Sequence, residues 1–542
     1  MPQNFIPVHR DQRFLMPPDM KEWLPEDHLA FLVLDAVEKM DLSAFYARYR
    51  DDGWGRAAFE PRMMVALLLY AYAVGVRSSR AIERRCLEDV AFRIIAAGHQ
   101  PDHATIARFR SSNQGALSEL FNEALRLCLR AGLGRVGVLA IDGTKIKADA
   151  SQARNRAPDE IEAIVEQMLD DAAAIDEQED RLYGDKRGDE LPEHLADPER
   201  RAEALRKAKE ELEAERAQEI ADYEAKLAEH EALKEQGKKP RGRPLKHPDE
   251  RKKQRKRKVN LTDPESRTQK VPGGYVQGYN AQAAVSQDHI IVAADVTQDN
   301  NDVGQLEPLV TQARGNLEAV DAKEPIGTVV ADAGYFSEDN TVLELGVELL
   351  IAPTKSDDLD EALAARARPD PDEDRRQRRY AAELAIAQRR AERREEVMTA
   401  YITGVVTASE AAQMLIASIN SIYQLKWHKK KFGRLPDVLL PSPPTKPSAR
   451  QVMLERFAQP GVREIYATRS TTVEPVFGQI KELRGVRRFM QRGLEACQTE
   501  WRLHAAAHNL RKLWSSGKWN DLLLGLTYSR SVDFFRAVPL SL

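Results

Sequence analysis

The amino-acid sequence predicts an α/β protein whose central sheet is interrupted twice by long helical segments. Three observations carry that expectation. Val136-Gly137-Val138-Leu139-Ala140-Ile141-Asp142-Gly143-Thr144 is an apolar run ending in an acid and a glycine, the pattern of a short strand buried on both faces. Val329-Val330-Ala331-Asp332-Ala333-Gly334-Tyr335-Phe336, within a strand pattern that begins at Ile326, repeats the same grammar. Around it, strand-like runs at Gly278 to Val285, His289 to Val296 and Val347 to Ala352 flank a helical pattern at Leu306 to Leu317. The resulting order of strand, hairpin, helix, strand, helix, strand is that of an α/β core.

In each acid-bearing run the carboxylate is expected at the exposed carboxyl end of the strand, the edge where open α/β sheets bind ligands. Asp332 taken alone reads either as such an acid or as the cap of the next helix. If the two strands lie side by side, Asp142 and Asp332 meet, and paired carboxylates are the oxygen ligands that hard divalent cations take.

A length of 542 residues accommodates about two to four domains, and a hydrophobic share of 42% supports packed cores. The formal charge of −4 averages over an acidic helical stretch and a basic run that follows it, so it says little about partners. Cys86, Cys128 and Cys497 are far apart and in no metal-ligand spacing, which points to buried thiols in a reducing compartment. The longest apolar run, Met63 to Val74, is too short to span a bilayer, and Met1 to Gln12 lacks the apolar core of a signal peptide. A cytosolic protein is expected.

Ahead of Asp142, helical patterns at Arg62 to Val74, Ser79 to Glu88, Val90 to Ala97, His103 to Phe109 and Leu117 to Ala131 are broken by Gly75, Gly98 and Gly132. Arg77, Arg80, Arg84, Arg85, Arg108 and Arg110 cluster there, as a solvated face or as a phosphate-contacting one. Lys145 and Lys147 beyond the first acid are edge lysines or phosphate contacts. From Pro198 to Lys234, an imperfect heptad of Leu205, Leu212, Ile220, Tyr223 and Leu227 predicts a helical hairpin or coiled coil. Lys234 to Lys258 then carries thirteen Lys and Arg against three Asp and Glu, a net charge of +10. Within it Arg241-Gly242-Arg243-Pro244 resembles an AT-hook, whose slim arginines enter A·T-rich minor grooves; the alternative is a nonspecific basic linker.

A second departure from the sheet starts acidic at Asp357, Asp358, Asp360 and Glu361 and becomes Arg-rich between Arg375 and Arg394. Thr407 to Leu415 followed by Ser418 to Tyr423, with Lys426 to Lys431 behind, has the rhythm of a helix-turn-helix, which many helical hairpins share. Pro436 to Pro447 is a Pro-rich connector. The Ser/Thr run before Glu474 predicts a helix start there, with Pro475 in the first turn. At about 100° per residue Lys481 returns to the face of Glu474, about 10 Å along the axis, with Gly478 between them. An ordinary amphipathic helix accounts for that stripe equally well.

Taken together, Asp142 after one strand, Asp332 in Asp-Ala-Gly-Tyr after a later one, and Glu474 within Tyr466-x2-Arg469-x4-Glu474-x6-Lys481 resemble the DDE transposases of bacterial insertion sequences. The helical N-terminal region resembles the DNA-binding domain that precedes their catalytic core, and Trp501 to Trp514 resembles their closing helix. The chain departs from the commonest motif by having four residues, Ser470 to Val473, between Arg and Glu instead of three, which puts the role of Arg469 in question.

The resemblance implies an RNase H-like catalytic core interrupted by two largely helical insertions and preceded by an all-helical DNA-binding domain. The implied layout is 1–134 for the helical DNA-binding domain, 135–155 with 259–355 and 451–515 for the core, and 516–542 for a tail. The insertions are then 156–258 and 356–450. It further implies that Asp142, Asp332 and Glu474 hold two Mg²⁺ or Mn²⁺ ions, with Tyr466, Arg469 and Lys481 on DNA phosphates. Arg241, Arg243, Lys145, Lys147, Arg487 and Arg488 are further candidate DNA contacts. The implied activity is cleavage at the element's ends and strand transfer into target DNA, by a homodimer or larger assembly on double-stranded DNA in the bacterial cytoplasm and nucleoid. The rival expectations are a structure-specific nuclease on the same fold and a transposase-derived DNA-binding protein without catalysis.

Overall fold

Helical periodicity and glycine breaks set the first part of the chain. A computed structural model describes residues 20–49, 58–157, 160–167, 198–235, 258–354, 356–366, 371–415, 419–436 and 448–519. Before the first strand lie α1 (Leu29–Lys39), α2 (Ser43–Tyr46), α3 (Pro61–Ala73), α4 (Ser79–Glu88), α5 (Val90–Ile95), α6 (His103–Ser112) and α7 (Gln114–Arg130). Gly75, Gly98 and Gly132 follow α3, α5 and α7 at φ of +83°, +77° and +70°, the left-handed conformation that glycine adopts without strain at a helix end. Helix α3 starts where Glu60 accepts the N–H of Met63 at 2.7 Å and Pro61 takes the first turn. Apolar nearly all round, it is buried from Met64 to Ala73.

The sheet combines β1 (Val138–Lys147), β4 (Arg267–Val271), β5 (Gly274–Ser286), β6 (Ile291–Thr297), β7 (Thr328–Ala331) and β8 (Glu348–Ile351), while β2 (Asn155–Arg156) and β3 (Val259–Asn260) pair separately. Its order is β4–β5–β1–β7–β8, with β6 also on β5. Strand β1 runs parallel to β7 and antiparallel to β5. The register Ile141↔Ala331 makes Asp142 and Asp332 the next residues on adjacent parallel strands. The expected side-by-side placement of the two acid strands is therefore what the sheet shows. The expected strand end at Asp142 is not: β1 continues through Gly143, Thr144 and Lys145 to Lys147, because β5 outruns β7 and pairs residues 139–147. Asp142 sits in mid-strand, and only Asp332 stands at a strand's carboxyl end.

Between the two small strands runs α8 (Pro198–Glu235). Ala202, Leu205, Ala208 and Leu212 recur every three or four residues and are buried with Ile161, Val165, Val259 and Leu261. Beyond them the heptad residues Ile220 and Tyr223 are half-buried, and Leu227 is exposed. The basic run with Arg241 and Arg243 lies outside the described residues. Helix α9 (Leu306–Ala319) packs on β5 and β6 ahead of β7, and α10 (Glu338–Thr341) follows it.

The chain divides into one unit of Met1–Ala352 with Pro460–Leu542 and a second of Pro353–Gln459. The second holds α11 (Ser356–Arg366), α12 (Pro371–Ile402), α13 (Ala408–Leu415), α14 (Ile419–Phe432) and α15 (Ala449–Phe457). The first resumes with α16 (Val462–Gly478), a π-helical turn at Gln479–Leu483, and α17 (Leu494–Ser515). Helix α17 packs against α3, α7 and β6, joining the N-terminal helices to the sheet. Helix α16 begins twelve residues before Glu474, at Val462, so the expected helix start at Glu474 is corrected to its last turns, with Pro475 inside the helix. Proline removes the N–H that would bond the carbonyl of Thr471. That carbonyl instead accepts from His289 Nε2 at 2.9 Å, so the β5–β6 turn replaces the lost bond.

Candidate active site

Helix α16 lies against β1, β5 and β7 and brings its polar side chains to the two acids. Asp142 Oδ1 accepts the N–H of Gly143 at 2.8 Å, and its Oδ2 accepts Arg469 Nη1 at 3.0 Å. The second arm of Arg469, Nη2, lies 3.5 Å from Glu474 Oε1. Arg469 thus ties an acid of the sheet to an acid of the helix. Burial pushes Asp142 up to about 6, Arg469 opposes that shift, and the charges of Asp332 and Asp302 add to it. The acids around Arg469, Asp142 foremost, raise its pKa against the cost of its own burial. Tyr466, one helical turn earlier, is buried, and that burial raises its hydroxyl. Asp332 Oδ1 accepts the N–H of Gly334 at 2.9 Å, so the capping role open to it from the sequence is realised on a single 3-10 turn. Lys481, in the π-helical turn, donates to Thr144 Oγ1 at 2.9 Å, which brings it to β1 two residues beyond Asp142.

A polar network that sequence reasoning missed stands behind these residues. Asp302 Oδ1 accepts from Asn280 Nδ2 and Gln282 Nε2, each at 2.7 Å, and from Lys145 Nζ at 3.5 Å. Gln282 Oε1 in turn accepts the buried hydroxyl of Tyr335, in the turn that Asp332 opens. Gly143 is required by this packing: a Cβ there would stand 2.3 Å from Gln282 Nε2 and 2.7 Å from Asp302 Oδ1. The available signal was Asn280 and Gln282 at alternate positions of a strand, both buried, where an apolar face would be ordinary.

The other candidate DNA contacts are engaged within the protein to different degrees. Lys145 is half-buried on Asp302, and burial lowers its pKa. Lys147 is exposed, Arg487 pairs with Glu482, and Arg488 pairs with Asp149 at 3.4 Å. Of the N-terminal arginines, Arg77 and Arg110 are held by partners within the protein. Arg77 donates to the carbonyls of Arg488 and Gly485, and Arg110 to Tyr72, Ser79 and the Arg77 carbonyl. Arg84 pairs with Glu88 on its own helix, and Arg85 with Asp89, which caps that helix's end.

Among the described residues no group of three or more Asp, Glu, His or Cys is placed to hold a metal ion. Arg469, whose guanidinium spans Asp142 and Glu474, stands between two of the three acids. In kind, however, the donors fit a hard divalent cation: the carboxylates supply oxygen, and ionising Asp142 carries a burial cost that a cation would offset. Asn280 Oδ1, beside them, is buried without a hydrogen-bond partner.

Two stretches of the chain match known families. Residues 18–112 match the transposase domain DUF772, and residues 443–514 match the transposase DDE domain. No curated protein and no solved structure matches the chain. The second match contains Tyr466, Arg469, Glu474 and Lys481; Asp142 and Asp332 lie outside both. The matches place the protein among DNA-cleaving enzymes. Both matched domains are transposase domains, and together they support a DDE transposase of the insertion-sequence type, a family that requires a divalent metal ion. Among the described residues, no helix is long and apolar enough to cross a membrane.

Proposed function

We propose that Asp142, Asp332 and Glu474 are the catalytic acids of an RNase H-like core that cuts the ends of its element and joins them to target DNA. The observation that carries this reading is the register Ile141↔Ala331, which brings two sequence-distant acids to the same level of adjacent parallel strands. The placement of α16 against both strands, with Arg469 linking Asp142 to Glu474, supports the third member. The acids would hold two Mg²⁺ or Mn²⁺ ions, which when bound promote attack of an oxygen nucleophile on phosphorus and neutralise the leaving oxygen.

The chain's own residues prepare that chemistry. Arg469 bridges Asp142 and Glu474 in the DNA-free enzyme and offsets one of their two charges, and its planar fork suits a phosphate once DNA arrives. Lys481, fixed on Thr144, adds positive charge on the β1 side, and Tyr466 packs beside Arg469 as a support. In cleavage a water oxygen bonds to phosphorus as the bond to the 3′-oxygen breaks, leaving a 3′-hydroxyl. In transfer that hydroxyl oxygen bonds to a target phosphorus as the target's own bond from phosphorus to its 3′-oxygen breaks, leaving a 3′-hydroxyl on the target strand, so one site serves both steps. Joining two ends to one target calls for a homodimer or larger assembly, for which α8 is the candidate interface.

Purified protein with Mg²⁺ should nick DNA carrying the inverted repeats that flank its own gene. Asp332→Asn should abolish nicking while leaving DNA affinity within about twofold, since a neutral isostere keeps the fold and removes one charge. Nicking retained by Asp332→Asn would remove that residue from the site.

A further inference from the structure

We propose that α13 and α14 form a second DNA site, in which α14 enters the major groove of double-stranded DNA and reads its sequence. Four observations lead there.

The first is connection and support. Helix α13 has eight residues, positions 416–418 separate it from α14, and both pack on α12. Val397 and Met398 of α12, Ala411 and Ala412 of α13 and Ile422 of α14 form a buried core of their own. The small Ala411 and Ala412 let the helices approach closely, so the direction of α14 is held by packing. Two short helices on a third, the latter of the pair presented outward, is the arrangement by which helix-turn-helix proteins offer a recognition helix.

The second is a fixed start for α13. Thr407 N–H donates to Glu410 Oε2 at 2.7 Å, and Glu410 N–H donates to Thr407 Oγ1 at 3.3 Å, a reciprocal capping box.

The third is the outward face of α14. Ile422 is buried and Leu425 half-buried, whereas Tyr423, Gln424, Trp427, Lys430 and Lys431 are exposed. At 3.6 residues per turn, Tyr423, Trp427, Lys430 and Lys431 fall on one stripe with Gln424 beside it. Tyr423 and Trp427 are 54% and 57% exposed, an unusual exposure for such large rings on a helix that also buries an apolar side. Gln424 has the amide that pairs with adenine in the major groove, and aromatic rings can lie against thymine methyl groups.

The fourth is charge. From Ile419 to Phe432 the helix carries Lys426, Lys429, Lys430 and Lys431 with His428, and no acid. Lys426 lies over the ring of Tyr401 and Lys431 over that of Trp427, each at 4.7 Å, and Lys429 pairs with Glu395. These contacts order part of the cationic surface before any partner arrives. A helix with polar and aromatic side chains nearer its start and lysines toward its end complements base edges and flanking phosphates.

This site is separate from the acid cluster, which the other unit carries. The test uses the full chain in EDTA and a pool of random-sequence duplexes, with bound DNA recovered and sequenced. The wild type should enrich a motif. Tyr423→Ala with Gln424→Ala should lose or alter it. Lys430→Ala with Lys431→Ala should weaken binding of every duplex on the order of tenfold and lower the salt slope by about 2, with arginine at both positions restoring it. Both variants should still nick plasmid DNA at low salt with Mg²⁺, whereas failure of the catalytic assignment would show only with Asp332→Asn. An unchanged motif with an unchanged salt slope would overturn the proposal. So would unaltered DNA binding with a changed oligomeric state in sedimentation, which would assign the face to a protein contact.

Discussion

Tyr335 is fully buried, and burial holds its hydroxyl well above the usual phenol range, so it acts there only as a neutral donor. Its acceptor is Gln282, whose amide nitrogen holds Asp302, which in turn holds Asn280 and Lys145. This chain of bonds fixes the turn bearing Asp332 relative to β5, and β5 is registered against Asp142 through Ala283. Tyr335→Phe keeps the ring and leaves Gln282 Oε1 without its buried donor. It should cost about 1–2 kcal/mol in denaturant unfolding. Because small displacements of reacting groups are expensive, nicking should fall on the order of tenfold or more with DNA affinity unchanged. Stability lost with nicking per folded molecule unchanged would reduce Tyr335 to a packing residue.

At the scale of elements, α17 carries the chain's clearest acid sensitivity. His504 is fully buried, its ring 4.6 Å from that of Tyr72, with neither ring nitrogen in a hydrogen bond. Burial lowers its pKa from 6.5 to about 4 against the pull of Glu500, and His508 shifts the same way through burial and Arg484. Below pH 6.5 the unfolded chain takes up a proton that the folded His504 refuses. Stability is thus complete above that pH and lost as pH falls through it toward 4, reaching about 3 kcal/mol from His504 alone. The melting temperature should drop between pH 7 and pH 5, and His504→Phe, which fills the space without titrating, should flatten the drop. The sequence announced elements better than it announced their ends. Helix α4 and strands β7 and β8 fell where periodicity put them, because burial of one face or both leaves a local pattern. Gly143, Thr144 and Lys145 carry no buried-strand pattern, and only pairing with the distant Gln282, Ala281 and Asn280 extends β1 over them. At Glu474 the local cap and proline signals were overridden because His289, remote in sequence, satisfies the carbonyl that Pro475 frees. Asp302, Gln282 and Asn280 went unseen for the same reason: a polar residue in a loop or strand shows its role only when its partners are in place.

For the molecule as a whole, Arg77 connects the region matching the N-terminal transposase domain to the region matching the DDE domain. Its guanidinium donates to the carbonyl of Arg488 at 2.6 Å and of Gly485 at 2.8 Å, across more than 400 residues of sequence. It also lies 3.9 Å from the carboxylate of Glu500, which is wholly buried and accepts the N–H groups of Met490 and Gln491. Nearby, Gly75 passes the backbone of Arg484 so closely that a Cβ would meet its carbonyl oxygen at 3.1 Å. The helices before the sheet therefore brace the loop that follows the π-helical turn carrying Lys481. A surface phosphate contact and an internal brace predict opposite outcomes for one substitution. As a brace, Arg77→Ala leaves two carbonyls and a buried carboxylate short of their cation, which should cost about 3 kcal/mol of unfolding free energy. DNA affinity per folded molecule and its salt slope should then be unchanged. As a phosphate contact, the same variant would keep its stability and lose about one unit of salt slope. Denaturant unfolding and a salt titration of DNA binding on one preparation decide between them, and the bonds to Gly485 and Arg488 predict the first.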